Sequence, residues 1–408
     1  MDSATNTGSG SAPPGLLITL TGRDRPGVTS RLFSVLAGHP LTVLDVEQVV
    51  IRGRLVLGVL VGVTAGPGPA PKPDVAAVTG EVTALAAELG MEAEITTGTG
   101  NGPRRRGQLH VTLLGSPLPP RAIASVAGQI AAAGANIDRI GRLAQEPVTC
   151  IEFDVSGADA AALRADLAAV ASAERIDVAV QPGGLHRRAM RLIVMDVDST
   201  LVQDEVVDVL AERAGCAAEV AKITDATMRG ELDFAASLRE RVALLAGLDV
   251  AVLDSVRSGL RLAPGARTLI RTLKRLGYRC GIVSGGFTQV TDVLAERLGI
   301  DYAAANTLEI ADGKLTGRLT GTPIDRAGKA RTLAAFAERA GVPLSQTVAV
   351  GDGANDLDMI AAAGLGVAFN AKAIVRDAAD TSVSVPYLDA ILYLLGISRD
   401  EVEAAEDG

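Results

Sequence analysis

Apolar positions fall into three blocks, separated by two polar stretches rich in Gly, Pro and Arg. The separators are Thr96–Gly107 (TTGTGNGPRRRG) and Gln181–Arg188 (QPGGLHRR), and both read as linkers. They divide the chain into 15–95, 108–180 and 189–400, behind a lead of 1–14 that is expected to be disordered. The closing EVEAAEDG reads as a polar, acidic tail with no need to fold.

The first two blocks repeat one another. Leu17–Gly22 (LITLTG) is matched by His110–Gly115 (HVTLLG), and in the same register Pro119 answers Pro26 and Asp138 answers Asp45. Each copy runs from an apolar strand through a Gly turn and a Pro into a helical stretch, Ser30–Gly38 or Ala122–Gly134. Further strand-like runs follow at Val49–Val63 and Thr149–Val155, so each copy predicts an α+β module of order βαββαβ. Two like modules with faces to cover point to mutual packing or self-association.

The third block alternates short buried-strand runs (Arg191–Met195, Arg279–Val283, Thr347–Val350) with helical stretches (Ala266–Leu276, Lys329–Ala340). That alternation predicts an α/β domain with a doubly wound parallel sheet. Such sheets bind ligands beyond the carboxyl ends of their strands. Between residues 201 and 262 the spacing is helical: Val206, Val209, Leu210 and Ala214, then Leu238, Val242 and Leu245.

Composition narrows the function. No Trp, four Tyr and six Phe in 408 residues leave aliphatic cores and no aromatic platform for stacking bases. A net charge of -9 disfavours a nucleic-acid partner. Cys150, Cys216 and Cys280 lie too far apart for a disulfide framework and read as free thiols in a reducing cytoplasm. The three His are scattered too, so a bound metal is expected to take oxygen ligands, as Mg2+ does. No apolar run approaches the ~18 residues of a membrane span, and the N-terminus does not read as a secretory signal.

Polar residues stand where the three strand runs end: Asp196-Val197-Asp198-Ser199-Thr200, then Ser284-Gly285-Gly286, then Gly351-Asp352-Gly353-Ala354-Asn355-Asp356. Lys329 stands in the first turn of a helix, its charge at the positive end of the dipole. A parallel sheet brings these points to one edge. Carboxylates so crowded repel unless a cation sits among them, and that cation would attract a phosphate. Asp196 is placed to attack phosphorus, and Asp198 to protonate the leaving oxygen and then activate water. Glycine amides, Ser284 and Lys329 are placed to hold phosphoryl oxygens.

This set resembles the haloacid dehalogenase-like phosphatases, whose four motifs fall on Asp196–Thr200, Ser284, Lys329, and Gly351-Asp352 with Asn355-Asp356. The resemblance implies an aspartyl-phosphate on Asp196. It implies one Mg2+ per site, held by Asp196, the Asp198 carbonyl and Asp352, with Asn355 and Asp356 in support. It also implies that residues 201–262 form a small helical cap. In detail the block is similar to phosphoserine phosphatases. There Glu205 would meet the substrate ammonium and Arg241 its carboxylate, with Met228 and Phe234 as apolar walls. Ser284, Gly285, Lys329 and Asn355 would contact the phosphate. O-phospho-L-serine is the implied substrate and L-serine the product. The rivals are phosphate transfer to an acceptor alcohol, and an amino-acid sensor on an inactive phosphatase scaffold.

The two N-terminal blocks resemble ACT domains, on Gly22–Val28 and more loosely on Gly115–Pro120 with Gly134–Ile137. That resemblance implies a homodimer through these modules. It also implies an amino-acid effector, with serine the natural choice, near Gly22, Asp24, Gly115 and Asn136.

Overall fold

The structure, a computed structural model, describes residues 14–63, 74–99, 108–184, 187–228 and 231–406. The lead through residue 13 and most of the first separator lie outside the described residues. The chain divides into two compact units, Met1–Arg105 and Arg106–Gly408.

The first unit is a βαββαβ module: β1 (Pro14–Arg23), α1 (Val28–Leu36), β2 (Leu41–Ile51), β3 (Arg54–Val63), α2 (Val75–Leu89) and β4 (Glu92–Thr99). Its antiparallel sheet has the order β2-β3-β1-β4. Alternate residues of β1 (Leu16, Ile18, Leu20) and β3 (Leu55, Leu57, Val59, Val61) are buried under Val28, Leu32 and Leu36 of α1 and Val78, Val82 and Leu85 of α2. Asp74 caps α2 by accepting the Ala76 and Ala77 N–H groups. The strand-like run Val49–Val63 is not one strand. It turns at Arg52 and Gly53, both in the left-handed region (φ 45° and 77°), which makes a two-residue hairpin. Apolar residues on both sides of that turn hid it.

The second unit opens with a like module: β5 (Leu109–Gly115), α3 (Pro120–Ala132), β6 (Asn136–Ala144), β7 (Thr149–Ser156), α4 (Ala160–Glu174) and β8 (Asp177–Pro182), in sheet order β6-β7-β5-β8. One face of this sheet packs under α3 and α4.

The α/β domain follows, beginning with β9 (Leu192–Met195). Four helices come next: α5 (Val206–Ala214), α6 (Ala217–Met228), α7 (Phe234–Ala243) and α8 (Val252–Gly259). The chain continues with α9 (Ala266–Arg275), β10 (Arg279–Phe287), α10 (Thr288–Leu298), β11 (Tyr302–Ala311), β12 (Lys314–Thr320), α11 (Arg326–Ala340) and β13 (Thr347–Gly351). It closes with α12 (Leu357–Ala362), β14 (Leu365–Phe369), α13 (Ala373–Ala378), β15 (Thr381–Val383), α14 (Ile391–Leu394) and α15 (Arg399–Glu406). The sheet order is β12-β11-β10-β9-β13-β14-β15. It is parallel from β11 to β15 and carries β12 as an antiparallel edge, a hairpin that the parallel expectation lacked. The helices α5–α8 form a cap whose neck is closed by the Val202–Leu262 bridge. Val206, Leu210, Leu238 and Val242 pack with Phe287 and Val290 beside the carboxyl end of β10. No helix among the described residues is long and apolar enough to cross a membrane.

Two stretches read as unstructured are built into this unit. The outer face of the second module's sheet (Leu114, Cys150, Ala179) shares one apolar core with Ile193, Tyr393 and Leu394. Arg187 of the second separator is buried at that seam. It donates to the Leu394 carbonyl (2.7 Å), which also accepts from Gln181 (3.0 Å), and it pairs with Glu152. A guanidinium here supplies the donors that the last carbonyls of α14 lack. Asp177 adds a second tie, accepting from Ser382 Oγ (2.8 Å) and from the Ser384 N–H (2.7 Å). Burial pushes its carboxyl up from the ordinary range, against the bonds from Ser384 and Ser382. The closing acidic segment is helical in α15. Ser398 and Glu401 cap each other reciprocally, and Val402 enters the core.

Arg187→Ala leaves Glu152 and two helix-end carbonyls without their cation at the seam. It is expected to destabilise the second unit by about 3 kcal/mol, read as a lower thermal midpoint. An unchanged midpoint contradicts the seam's role.

Candidate active site

Parallel pairing of β9 with both β10 and β13 brings three strand ends together. Asp196 directly follows β9, and its N–H is held by the Val350 carbonyl of β13 at 2.9 Å. Its Oδ1 accepts from the Val197 N–H (2.7 Å) and from Lys329 Nζ (2.7 Å). Lys329 is 1% exposed. It enters from the first turn of α11, whose start is fixed by Asp325 accepting the Gly328 N–H at 2.6 Å. Its ammonium also reaches Asp356 Oδ1 at 2.7 Å. Burial alone would pull Lys329 down, but the charges of Asp196 and Asp356 outweigh it and hold the ammonium protonated. Burial pushes Asp196 well up, and the Asp356 charge adds to that against Lys329. Both shifts express the same imbalance of more carboxylates than cations.

Asp352 follows β13. Burial and the Asp356 charge raise its carboxyl to about 6. It accepts from Thr200 Oγ1 at 3.2 Å. Carboxylate oxygens of Asp196, Asp352 and Asp356 lie within 4.8 Å of one another. Crowded oxygen donors, with the proton affinity of Asp196 and Asp352 raised by burial, fit a hard divalent cation. Gly351 permits the crowding, since a Cβ there would fall 2.3 Å from Asp356 Cγ.

The chain reverses through Val197–Leu201, with Ser199 in the left-handed region (φ 55°). This turn presents Asp198, whose carboxylate is engaged on both oxygens. Oδ2 accepts from Ser284 Oγ (2.8 Å), and Oδ1 accepts from the Val206 N–H at the start of α5 (2.8 Å). Ser284 Oγ in turn accepts from the Gly286 N–H at 2.7 Å. A Cβ on Gly286 would meet Ser284 Oγ at 2.9 Å and Asp198 Oδ2 at 3.1 Å, so only glycine fits without a shift.

From the cap, Glu205 accepts from Ser199 Oγ at 2.8 Å. Burial, then the nearby Asp198 charge, pushes its carboxyl to about 7. Burial lowers Arg241 on α7, against the charges of Asp208, Glu205 and Asp198, so its guanidinium faces the same acidic group. Asn355 lies half-buried in the turn before α12. Gly285 joins Ser284 to Gly286. Met228 ends α6 and Phe234 begins α7, but their side chains lie outside the described residues.

The structure thus gathers Asp196, Asp198, Ser284, Lys329, Asp352, Asp356 and Glu205 at one sheet edge. In the small modules, Gly22 is the next-to-last residue of β1 and Gly115 the last of β5, where a Cβ would crowd Met91 and the Pro117 carbonyl. Asp24 is exposed beyond β1, and Asn136 is exposed at the start of β6, bonded to Asp138. Sequence reasoning gave Thr200 only as the last residue of the first acidic motif and passed over Asp208. Asp208 lies one turn after Glu205 on the same helix face, and Thr200 closes the first acidic motif, so both signals were present.

Three family models match the chain: haloacid dehalogenase-like hydrolase over residues 193–361, and ACT domain over 15–96 and again over 109–181. The chain is 60% identical to a phosphoserine phosphatase of Streptomyces coelicolor, over 96% of this chain and 95% of that protein. It is 52% identical to the phosphoserine phosphatase SerB2 of Mycobacterium tuberculosis, over 96% of each. Among solved structures it is similar to a probable phosphoserine phosphatase from Vibrio cholerae in unliganded form. That match has a TM-score of 0.58 and 34% identity, over 76% of this chain and 91% of the other. With its two ACT domains, its hydrolase domain and its likeness to these relatives along nearly the whole length, the chain belongs to the phosphoserine phosphatase family of haloacid dehalogenase-like hydrolases.

Proposed function

We propose that this enzyme hydrolyses O-phospho-L-serine to L-serine and phosphate through a phosphorylated Asp196. The observation that carries the reading is the buried Lys329 ammonium, shared by Asp196 and Asp356, beneath a cap that offers both a carboxylate and a guanidinium. Val197 and Lys329 fix the Asp196 carboxylate, so its attack needs little reorganisation. An Asp196 oxygen bonds to phosphorus as the bond from phosphorus to the serine oxygen breaks. Asp198 gives its proton to that departing oxygen. Asp198 then takes a proton from water, the water oxygen bonds to phosphorus, and phosphate leaves with Asp196 restored. Lys329 and the Gly285 amide hold the phosphoryl oxygens meanwhile, joined by Ser284 once its hydroxyl turns from Asp198. Mg2+, held by Asp196, the Asp198 carbonyl and Asp352, supplies positive charge to those oxygens when bound.

The ends of the substrate select themselves by charge. Glu205 near pKa 7 gains full ionisation when an ammonium approaches, and Arg241 offers a planar fork to a carboxylate. Asn355 supports the phosphate end, and Asp356 supports the metal site beside it. The ACT domains carry the regulatory part of the proposal: an amino-acid effector, with serine the first candidate, near Gly22, Asp24, Gly115 and Asn136. They also serve as the surface of a homodimer. On β2 the side chains of Val43, Leu44, Val46, Val49, Val50 and Ile51 are all exposed, between 46% and 63%, an apolar edge of the kind that a second copy covers.

Four outcomes test this. With Mg2+, phosphate release should strongly favour O-phospho-L-serine over a simple aryl phosphate. Arg241→Ala should cost phosphoserine about 100-fold in kcat/KM, the worth of a charge-assisted pair, and leave the aryl phosphate nearly unchanged; equal losses would sink the substrate assignment. Gly286→Ala, which pushes a methyl against Ser284 and Asp198, should lower kcat at least ~10-fold; wild-type turnover would remove Ser284 and Asp198 from the chemistry. Light scattering should give twice the 41.7 kDa chain mass, reverting to one chain in Val46→Glu/Val49→Glu. A wild-type monomer contradicts the dimer.

A further inference from the structure

Asn306 lies in β11, outside every motif that the sequence singled out. It is 4% exposed. It stands where the ladder between β10 and β11 loses step. Val283 pairs with Ala304 and Phe287 pairs with Asn306, so four steps along β10 answer two along β11. The surplus is the bulge at Ser284-Gly285-Gly286, which carries Ser284 toward the site. A bulge breaks the ladder bonds of the residues it contains, and a buried carbonyl left without a donor is costly. Here the Asn306 amide takes the place of the missing strand. Its Nδ2 donates to the Gly285 carbonyl at 2.8 Å.

That bond fixes more than one oxygen. The Gly285 carbonyl and the Gly286 N–H belong to one planar peptide unit and point in opposite directions. Holding the carbonyl aims the N–H, which donates to Ser284 Oγ. Ser284 Oγ, its acceptor side so occupied, turns its proton to Asp198 Oδ2. The other end of the same side chain reaches the neighbouring motif. Asn306 Oδ1 accepts from the Ile324 N–H at 2.7 Å. Ile324 directly precedes Asp325, the cap of the helix that carries Lys329.

We infer that Asn306 is a positioning residue for the phosphoryl-transfer site: through the Gly285–Gly286 peptide it sets the hydroxyl of Ser284 against Asp198, and it ties that bulge to the start of the Lys329 helix. This rests on the roles given above to Ser284 and Asp198. No other residue type does both tasks as well. Aspartate keeps the acceptor for Ile324 but loses the amide donor to Gly285, and alanine loses both.

A double-mutant cycle on kcat tests the assignment, with Asn306→Ala, Ser284→Ala and the pair, each corrected for folded fraction from its melting curve. Asn306→Asp serves as the isosteric variant should alanine fold poorly. The expected result is that Asn306→Ala and Asn306→Asp each lower kcat toward O-phospho-L-serine about 10-fold or more, with KM changed less than about 3-fold. In the Ser284→Ala background the same change should add almost nothing. Losses that multiply in the pair overturn the assignment, as does an Asn306 effect confined to the thermal midpoint. Ser284→Ala at full activity is a different failure, because it removes the site reading on which the assignment rests.

Discussion

The site depends on one buried cation. Lys329 places an ammonium between Asp196 and Asp356, 2.7 Å from each, where almost no solvent reaches. Without it three carboxylates would stand within 4.8 Å of one another with no cation among them, two of them, Asp196 and Asp352, already pushed toward the neutral form by burial. With it the site still holds more negative charge than positive, which is the state that a divalent cation and a phosphate together can balance. The position is set by local chemistry that any helix can supply: an aspartate cap, a glycine in the first turn, then lysine on the inner face of α11.

A second pair of bonds couples the cap to the core. Asp198 accepts from Ser284 on one side and from the first amide of α5 on the other. The acid assigned to proton transfer is therefore also the anchor of the first cap helix, directly beside Glu205. A displacement of α5 cannot leave Asp198 unmoved. The hydrophobic contact of α5 and α7 with Phe287 and Val290 ties the other side of the cap to the strand that carries Ser284. The groups proposed to recognise the substrate's amino-acid end and those proposed to transfer its phosphoryl end thus share a frame.

Much of this was legible in the sequence because it is periodic or contiguous. Alternating strands and helices gave the parallel α/β domain, and the internal repeat gave the two small modules. The acidic, glycine-rich and serine-glycine motifs stood at strand ends where the topology gathers them. Two of the features that escaped share a physical cause: a buried polar group finds its partner far along the chain. Arg187 sits in a stretch with linker composition, yet it fills its bonds on carbonyls near residue 394. Asn306 is a single polar residue in a strand, and its meaning lies in a bulge on the neighbouring strand. The tail became helical through Val402, one apolar residue in an acidic segment. The hairpin at Arg52–Gly53 escaped because both of its strands are apolar, and the short Arg-Gly-Arg break between them reads as part of one run.

In the proposed reaction Asp196, oriented by Lys329, forms a bond to phosphorus. Rapid quenching of the enzyme during turnover of phosphate-labelled O-phosphoserine, followed by peptide mapping, tests it directly. The account predicts label that survives acid, is released by hydroxylamine as an acyl phosphate is, and maps to the peptide containing Asp196. Label on another residue, or a first turnover that releases phosphate with no protein-bound label at any time, would contradict it.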